Sequence, residues 1–347
     1  MQGAHASVIQ QVGAWLESSQ SVWLCTVIRT FGSAPRPLGS MMAFCAGQGA
    51  IGSVSGGCIE EALFEELAAG TLLQRAKRSK GPWRLRYGQS AEDQSRFSLP
   101  CGGQLHLMLE HLQPEPALRQ HFQALQSALQ SRQSIAREVC LFSGQCHIRS
   151  ISGRPPTLVQ FAQSRVSIPL SPPDQLLLVG LGEVTRYAAQ FAEAVDFEVT
   201  VCDPRATYLT LYPMHSVPVL HANPDRLIAD RFHDEHSAII TLSHDPRVDD
   251  LALMEALQTQ AFFIGAMGSE QTSRGRRERL LELGITPRQL AHLVAPVGLP
   301  IASKTPGEIA LSAISQLTQV RNNLRRGSAS GRVAEGYDDI CMLEALR

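Results

Sequence analysis

The sequence lacks the features that mark membrane-spanning, secreted and nucleic-acid-binding proteins. Its formal net charge is −1, so no basic excess indicates a surface for nucleic acid or for a membrane. No stretch approaches the roughly 20 apolar residues that a membrane-spanning helix needs. The N-terminus has no basic segment followed by an apolar run, which a secretory signal would have. We therefore expect a cytoplasmic protein that binds neither nucleic acid nor membrane.

The cysteines lack the spacing of a disulfide framework or of a zinc site. None of the eight belongs to a CxxC pair, and free thiols fit the reducing compartment that we expect. They occupy positions 25, 45, 58, 101, 140, 146, 202 and 341.

The length and composition predict two ordinary globular domains. A chain of 347 residues can form two full cores, and a hydrophobic content of 44% is enough to fill them. We predict an α/β fold class, in which an N-terminal mixed α+β domain is followed by a Rossmann-like domain with a doubly wound parallel sheet. The predicted bounds are 1–112 for the first domain, 113–173 for an extension and linker, 174–322 for the second domain and 323–347 for a tail.

Hydrophobic periodicity predicts the elements of the first domain and its extension. Helices are expected at 7–18, 58–69 and 117–131. Strands are expected at 22–28, 41–45, 51–54, 83–87 and 104–110, with two weaker strands near 136–150. The proline-rich segments 154–156 and 171–173 are typical of a linker.

The second domain shows a different rhythm, in which short apolar strands alternate with helices. Strands are predicted at 176–179, 197–202, 238–242 and 261–264, and the first of them is followed by a helix that continues to Val195. This alternation indicates a parallel sheet with helices on both faces.

A glycine-rich loop joins the first strand and helix of the second domain. Gly180 and Gly182 permit a tight turn in which backbone N–H groups and a helix N-terminus approach a pyrophosphate. Asp203, at the end of the next strand, is placed to accept hydrogen bonds from ribose hydroxyls. Thr185 occupies the third glycine position, and Glu183 brings negative charge to the loop. A Rossmann fold whose ligand site is degraded or empty is therefore the alternative.

Another glycine-rich loop leads into the helix predicted at 58–69. Successive N–H groups around Ser53, Ser55, Gly56 and Gly57 are expected to form an anion-binding nest. Cys58 falls in the first helical turn, where the helix dipole lowers the pKa of a thiol.

Two further segments of the first domain supply a cation and a thiol. Arg36 stands between two prolines, which present its guanidinium rigidly to a phosphate. Cys101 is followed by Gly102 and Gly103, which keep its thiol accessible. The alternatives are structural: the cysteines are small buried hydrophobes, the glycines serve turns, and Glu60 and Glu61 complement the helix dipole.

Polar residues elsewhere in the second domain are further candidates for a binding site. His244 follows a strand at the edge where Rossmann ligands bind, whereas the adjacent Asp245 is suited to capping the next helix. Lys304 is a candidate for the same cleft, and Thr305 is expected to cap the last helix. The polar segment 233–236 is more typical of a solvated loop than of a metal site.

Several motifs together resemble the XdhC/CoxI family of accessory proteins for molybdenum hydroxylases. In the first domain they are Gly32–Arg36 (GSAPR), Gly52–Glu60 (GSVSGGCIE) and Cys101–Gly103 (CGG). The resemblance extends from about Trp23 to Asn323. In the second domain it rests on Gly265–Ser269 (GAMGS, with Gly268), Arg276–Gly284, Ala295–Leu299 (APVGL) and Thr305–Ala310 (TPGEIA).

The resemblance implies a factor that binds molybdenum cofactor, as molybdopterin or its cytosine dinucleotide form. It also implies support for sulfuration of the cofactor and delivery to an apo xanthine dehydrogenase-like molybdenum hydroxylase. The implied partners include a cysteine desulfurase and a molybdenum cofactor nucleotidyltransferase, and we expect a homodimer. Cys58 and Cys101 would contact the metal or its sulfur, because molybdenum prefers soft ligands.

Two alternative functions remain open from the sequence. The Rossmann loop would also suit NAD(P) or another nucleotide, so an NAD-dependent oxidoreductase is the first alternative. A redox-sensing binding protein that uses Cys58 is the other.

Overall fold

The computed structural model describes residues 2–31, 36–77, 81–88, 104–155, 159–162 and 164–327. Two compact units are formed: unit 1 contains the chain up to Pro172, and unit 2 comprises Pro173–Arg326. None of the helices in the described ranges is both long and apolar enough to cross a membrane.

The first half of unit 1 folds as an antiparallel sheet with helices on both faces. Its elements are α1 (Gln2–Glu17), β1 (Val22–Phe31), β2 (Met41–Cys45), β3 (Gly49–Gly52), α2 (Cys58–Ala68), α3 (Thr71–Ala76), β4 (Trp83–Tyr87) and β5 (Gln104–Leu112). The strands lie in the order β3-β2-β1-β5-β4. Alternate residues of β1 point to opposite faces, so Leu24 packs in the core that includes α1 and Cys25 packs in the core that includes α2.

The strand predicted at 51–54 begins and ends earlier, at Gly49 and Gly52. The ladder pairs Gly52 with Met42, and a final hydrogen bond runs from the Ser53 N–H to the Met41 carbonyl at 3.1 Å. Beyond this point the N–H of Val54 donates to the side chain of Glu60 at 2.9 Å. The strand ends here because the next backbone N–H donates to the Glu60 carboxylate instead of to strand β2.

The second half of unit 1 is a four-stranded antiparallel sheet and one helix. Its elements are α4 (Pro116–Gln130), β6 (Ile135–Cys140), β7 (Cys146–Ser150), β8 (Gln160–Ala162) and β9 (Arg165–Leu170), and the strand order is β7-β6-β9-β8. Phe122 of α4 and Val166 of β9 pack in the same core as α1. Residues 113–172 therefore contribute to the core of unit 1, although their proline-rich segments are typical of a linker.

A buried ion pair joins the two sheets of unit 1. Arg137 in β6 is fully buried, and its guanidinium donates to both carboxylate oxygens of Glu110 in β5 at 2.8 Å. A charged pair in a low-dielectric interior requires such two-pronged geometry to offset desolvation.

Unit 2 has the architecture predicted from its sequence. Its elements are β10 (Gln175–Val179), α5 (Glu183–Ala194), β11 (Glu198–Cys202), α6 (Ala206–Leu211), β12 (Val219–Leu220), α7 (Pro224–Arg231), β13 (Ser237–Thr241), α8 (Pro246–Ala256), β14 (Phe263–Ala266), α9 (Glu270–Glu282), α10 (Pro287–Leu290), β15 (Leu293–Val294) and α11 (Pro306–Gly327). The parallel sheet has the order β12-β11-β10-β13-β14-β15, which is the 3-2-1-4-5-6 order of Rossmann folds. The predicted fold class is confirmed.

Both faces of this sheet are covered, as expected for a parallel sheet. Leu176 and Leu178 of β10 pack on one side, and Leu177 and Val179 pack on the other. Helix α11 continues to Gly327, so residues 323–327 belong to this helix rather than to the predicted tail. Residues 328–347 lie outside the described part of the chain.

Candidate functional site

The loops that follow β10, β11 and β13 meet at the carboxyl edge of the parallel sheet. Gly180, with φ +100°, donates its N–H to the Cys202 carbonyl at 2.8 Å. A Cβ at Gly180 would lie 2.4 Å from the Cα of Ser243. Glycine is therefore required here by the packing of the protein itself.

Gly182 differs from Gly180 because nothing in the described structure requires it to be a glycine. Its φ of 169° is extended backbone that any residue adopts. A Cβ at this position would meet no described atom within 4 Å, and no side chain caps helix α5, which begins at the next residue. Such a position suits close approach of a phosphate to the helix N-terminus.

The two residues that depart from the usual glycine fingerprint have defined roles. Thr185 is fully buried, and its hydroxyl donates to the Gly180 carbonyl at 2.6 Å, which ties the first turn of α5 to the loop. Glu183 forms an exposed ion pair with Arg186 at 2.8 Å. Neither substitution removes the helix N-terminus as a place for an anion.

Asp203 lies against the Gly180–Gly182 loop and is fully buried. Its Oδ2 accepts the Leu181 N–H at 2.7 Å. Arg205 donates its backbone N–H and Nε to Oδ1, both at 2.9 Å, and its Nη2 to Oδ2 at 2.7 Å. Because a carboxylate accepts at about four lone-pair positions, Asp203 is fully engaged inside the protein. The predicted ribose contact is corrected accordingly: Asp203 holds the loop in place.

The same contacts determine the ionisation of Asp203. Burial alone would raise the pKa of this carboxyl, but hydrogen bonds from Arg205 and from the Leu181 N–H outweigh burial and hold the pKa below its ordinary value. Asp203 is therefore ionised at neutral pH.

A buried pair connects the loop after β13 with the loop after β14. Asp249 accepts the Ser243 hydroxyl at 2.6 Å and the Arg276 Nη2 at 3.0 Å. Arg276 in turn donates Nη1 to the Met267 carbonyl at 2.9 Å. These contacts place the predicted site residue Gly268 on a loop that is braced against the loop of His244. Sequence patterns gave no reason to single out Asp249.

The remaining predicted residues of unit 2 lie on loops of this unit. His244 is exposed with φ +58°, and the Asp245 side chain accepts the Arg247 N–H at 3.0 Å as the cap of α8. Lys304 is exposed. The expected cap of α11 is confirmed, because the Thr305 N–H donates to Glu308 at 3.0 Å and the Glu308 N–H donates to the Thr305 hydroxyl at 3.4 Å. Among the described residues, no hydrogen bond joins Lys304 to the Gly180–Gly182 loop.

The predicted anion nest of unit 1 forms, but it surrounds a carboxylate of the same chain. Oε1 of Glu60 accepts the N–H groups of Val54, Ser55 and Gly56 at 2.9, 2.8 and 3.1 Å, and Oε2 accepts the Gly57 N–H at 2.9 Å. Hydroxyl groups of Ser53 and Ser55 donate to the same carboxylate. The N–H groups that we expected to bind an external anion are thus engaged by Glu60. The prediction for Ser53, Ser55, Gly56 and Gly57 is corrected in this respect.

Arg36 lies at the outer side of this arrangement. Its Nε donates to the Ser53 hydroxyl at 3.3 Å, and that hydroxyl donates to Glu60 at 2.8 Å. Burial alone would raise the pKa of Glu60, but the hydrogen bonds from Ser55 and Ser53 outweigh burial and hold the pKa well below its ordinary value. Arg36 is exposed, and its guanidinium places a positive charge next to the Ser53–Gly57 loop.

The two predicted thiol ligands remain predictions. Cys101, Gly102 and Gly103 lie outside the described residues, as do positions 32–35 of the GSAPR motif, and the side chain of Cys58 is not described. Within the described ranges, no group of three or more His, Cys, Asp or Glu side chains is arranged to hold a metal ion.

Unit 1 also contains a cavity of about 840 Å³, and the residues predicted from the sequence do not line it. Its walls include Glu110, His121 and Cys146. Arg137 donates to the Nε2 of His121 at 3.3 Å and to the sulfur of Cys146 at 3.1 Å. Burial and the charge of Arg137 lower the pKa of His121 to about 3, so its imidazole is neutral at neutral pH.

Comparison with known proteins places both units in one family. Residues 176–317 match the model of the XdhC Rossmann domain, and residues 15–88 match the model of the XdhC and CoxI family. The chain belongs to the XdhC and CoxI family. Together these two matches cover most of unit 2 and the first half of unit 1.

Relatives of similar length support this assignment. The chain is 26% identical to a protein of Bacillus subtilis (strain 168) that is named as a probable xanthine dehydrogenase component, over 90% of this chain and 96% of that protein. It is 25% identical to the molybdenum cofactor insertion chaperone PaoD of Escherichia coli (strain K12), over 91% of this chain and 89% of that protein.

A crystal structure described as a xanthine dehydrogenase from Bacillus halodurans has a similar fold. The TM-score is 0.68 at 24% identity, with 95% of this chain and 99% of that chain covered. At this identity the likeness concerns the fold alone.

Proposed function

We propose that this XdhC and CoxI family member binds molybdenum cofactor and assists its insertion into a xanthine dehydrogenase-like molybdenum hydroxylase. The observation that carries the proposal is the similarity to a molybdenum cofactor insertion chaperone over 91% of this chain. A similarity of that extent includes both units, rather than the widespread Rossmann domain alone.

The geometry of unit 2 supports a ligand that carries phosphate. The helix N-terminus behind Gly182 has no side-chain cap, and Glu183 is engaged by Arg186. The terminal phosphate of molybdopterin and the pyrophosphate of its cytosine dinucleotide form are both anions that a helix N-terminus stabilises. His244, Gly268 and Lys304 belong to the proposed site on this side.

The proposal assigns unit 1 a role in handling the metal and sulfur. Arg36, Cys58 and Cys101 are the proposed contacts, and Gly102 and Gly103 keep the second thiol accessible. In this proposal the protein also supports sulfuration, and a cysteine desulfurase and a molybdenum cofactor nucleotidyltransferase act with it. We propose further that it is a cytoplasmic homodimer.

The test is purification under reducing, anaerobic conditions from cells that make molybdenum cofactor, followed by pterin and molybdenum analysis. We expect both pterin and molybdenum to accompany the wild-type protein. Cys58→Ser and Cys101→Ser should lower molybdenum more than pterin, because the thiols contact the metal. Cys140→Ser is the matched control, since Cys140 is half-buried in unit 1 and outside the two loops. A wild-type protein without pterin would overturn the proposal.

Transfer of the bound cofactor to an apo molybdenum hydroxylase gives a second readout. Cofactor-loaded protein should activate an apo molybdenum hydroxylase more effectively than the same amount of free cofactor. An NAD-dependent oxidoreductase would instead oxidise NADH in the presence of a carbonyl substrate, so the two functions give different results in the same preparation.

A further inference from the structure

After the end of β11, Arg205 binds the acid, Asp203, that Rossmann folds commonly present to the ligand. In that fold the acid at this edge accepts ribose hydroxyls, whereas an arginine at the edge accommodates a phosphate on the sugar. Here Asp203 is fully buried and bonded to Leu181, and Arg205 lies over it with its side chain 21% exposed.

The guanidinium of Arg205 has two distinct edges. The edge formed by Nε and Nη2 binds Asp203 at 2.9 and 2.7 Å. Besides this edge, Nη1 makes a single long hydrogen bond to the Ser243 carbonyl at 3.4 Å. Guanidinium has five N–H donors, so two of them, one on each terminal nitrogen, make no hydrogen bond to the described residues.

The orientation of the guanidinium is fixed from several directions. Asp203 holds the guanidinium from one side, and the ring of Tyr208 lies 3.6 Å from the guanidinium carbon, a cation–π contact. Hydrogen bonds to Asp203 and that carboxylate's charge raise the pKa of Arg205 further, so the group stays charged at any physiological pH. A planar cation that is held in one orientation and partly exposed, with one unused N–H on each terminal nitrogen, suits the oxygens of a phosphate.

We infer that Arg205 is the specificity-determining residue of the unit 2 site and that it recognises a phosphomonoester group of the ligand. The inference rests on the proposed function in so far as that function places a phosphate-bearing ligand at Gly182. Asp203 positions Arg205 and does not touch the ligand. A phosphomonoester is preferred over a sugar hydroxyl because Asp203 has no free lone pair for a hydroxyl, whereas Arg205 has two free donors for a dianion.

Two ligands contain this chemistry, and paired probes distinguish them. NADP⁺ and NAD⁺ differ only by a phosphomonoester on the ribose. Molybdopterin ends in a phosphomonoester, which becomes part of a pyrophosphate when cytidine monophosphate is attached. Binding of all four to the full chain is measured by calorimetry under anaerobic conditions.

The expected result is a preference of about tenfold or more for the phosphomonoester form in at least one pair, as two charge-assisted hydrogen bonds would give. Arg205→Gln should abolish the preference, and Arg205→Lys, which keeps the charge without the two-pronged edge, should retain a small part of it. Arg247→Gln is the matched control, because Arg247 pairs with Asp245 on the same edge of the sheet but is 90% exposed. Its preference should equal that of the wild type.

The inference is overturned if neither pair shows a preference in the wild-type protein, or if Arg205→Gln retains it while hydrogen exchange shows unit 2 still folded. Because the wild-type comparison needs no variant, loss of folding in Arg205→Gln does not remove the test. If molybdopterin binds but neither pair shows a preference, this inference is refuted and the proposed function stands. A preference for NADP⁺ without any binding of the pterin cofactor would refute the proposed function and leave the role of Arg205 standing.

Discussion

The two loops that lead from glycine into a helix, Ser53–Gly57 in unit 1 and Gly180–Gly182 in unit 2, use their N–H groups in opposite ways. In unit 1 four successive N–H groups converge on the carboxylate of Glu60. In unit 2 the N-terminal turn of α5 has no capping side chain, and Glu183 is paired with Arg186 instead.

The difference shows that a glycine-rich loop before a helix defines a place for an anion without defining which anion. An acidic residue at the third helical position, as at Glu60, can return to the loop and satisfy it from within. An acidic residue at the first helical position, as at Glu183, can pair with a basic residue one turn later, here Arg186. The helix N-terminus then stays accessible. The position of the acid in the first turn therefore separates a nest that is satisfied by its own chain from a helix N-terminus that has no side-chain cap.

The largest expected effect tests whether Gly180 is structural. Gly180→Ala should destabilise unit 2 by about 3 kcal/mol or more, because it adds overpacking against Ser243 to a positive φ. Hydrogen exchange of the β10 amides measures the loss. Gly284→Ala is the control, since Gly284 also has a positive φ, +95°, but no described atom within 4 Å of its Cβ position. Equal effects in both variants would show that the contact with Ser243 is unimportant.

The next effect tests the internal anion of unit 1. Glu60→Gln should lower the free energy of unfolding by about 2 kcal/mol at neutral pH, because it removes the charge that several donors surround. The three tryptophans lie at positions 15, 23 and 83, so tryptophan fluorescence during urea unfolding reports unit 1. The adjacent, exposed Glu61 provides the control: Glu61→Gln should change the free energy by less than about 0.5 kcal/mol.

The difference in stability between the wild type and Glu60→Gln is expected to depend on pH. Since folding lowers the pKa of Glu60, its contribution to stability is complete above the ordinary glutamate value of 4.5 and is lost as the pH falls towards the folded-state pKa. Wild type and Glu60→Gln should therefore differ most near pH 7 and converge below about pH 4. A difference that grows on acidification would contradict the assigned role of the charge.

A smaller effect is expected at Thr185. Thr185→Val keeps the volume but removes the hydroxyl that donates to the Gly180 carbonyl, which should cost about 1 kcal/mol. Faster exchange of the Leu181 N–H measures it, and Thr185→Ser, which keeps the hydroxyl, should stay close to wild type. If the Leu181 N–H exchanges as slowly in Thr185→Val as in the wild type, the hydrogen bond from Thr185 to the Gly180 carbonyl contributes nothing to stability.

The smallest effect on stability, and the one that most sharpens the comparison, is expected at Gly182. Gly182→Ala should cost only about 0.5 kcal/mol, because the position is extended and unobstructed. It should nevertheless weaken binding of a phosphate-bearing ligand by about tenfold or more, since the methyl group would occupy the approach to the helix N-terminus. Calorimetry with molybdopterin and NADP⁺ checks this. Unchanged affinity for every phosphate-bearing ligand that the wild type binds would mean that the loop of unit 2 is also purely structural.

The sequence predicted the Rossmann unit well because its strands are buried on both faces. Such strands appear as continuous apolar runs, as at Leu176–Val179, and their positions along the chain define the sheet. The four-stranded sheet of unit 1 was predicted only in part. Its β6 pairs with β9 across proline-rich segments, and pairing over that distance leaves no local pattern.

The site residues show where sequence reasoning stops. The position of Asp203 followed from the fingerprint, but the direction of its carboxylate depends on Arg205 and on the Leu181 N–H. From the sequence, Glu60 was interpreted as a partner of the helix dipole. Its position three residues after Gly57 is the spacing of a capping box, and this signal could have indicated that the Glu60 side chain accepts N–H groups of the loop. The partners of Arg137 could not be found in this way, because they come from three different elements.

The ion pair between Arg137 and Glu110 has a practical consequence for dissecting the protein. A fragment that ends at residue 112 would retain Glu110 but lose the guanidinium that neutralises it, and it would expose the core surface of β5 that α4 and β6 cover. A buried carboxylate without its counter-charge is strongly destabilising. A fragment intended to fold independently must therefore continue through β9, to at least Leu170.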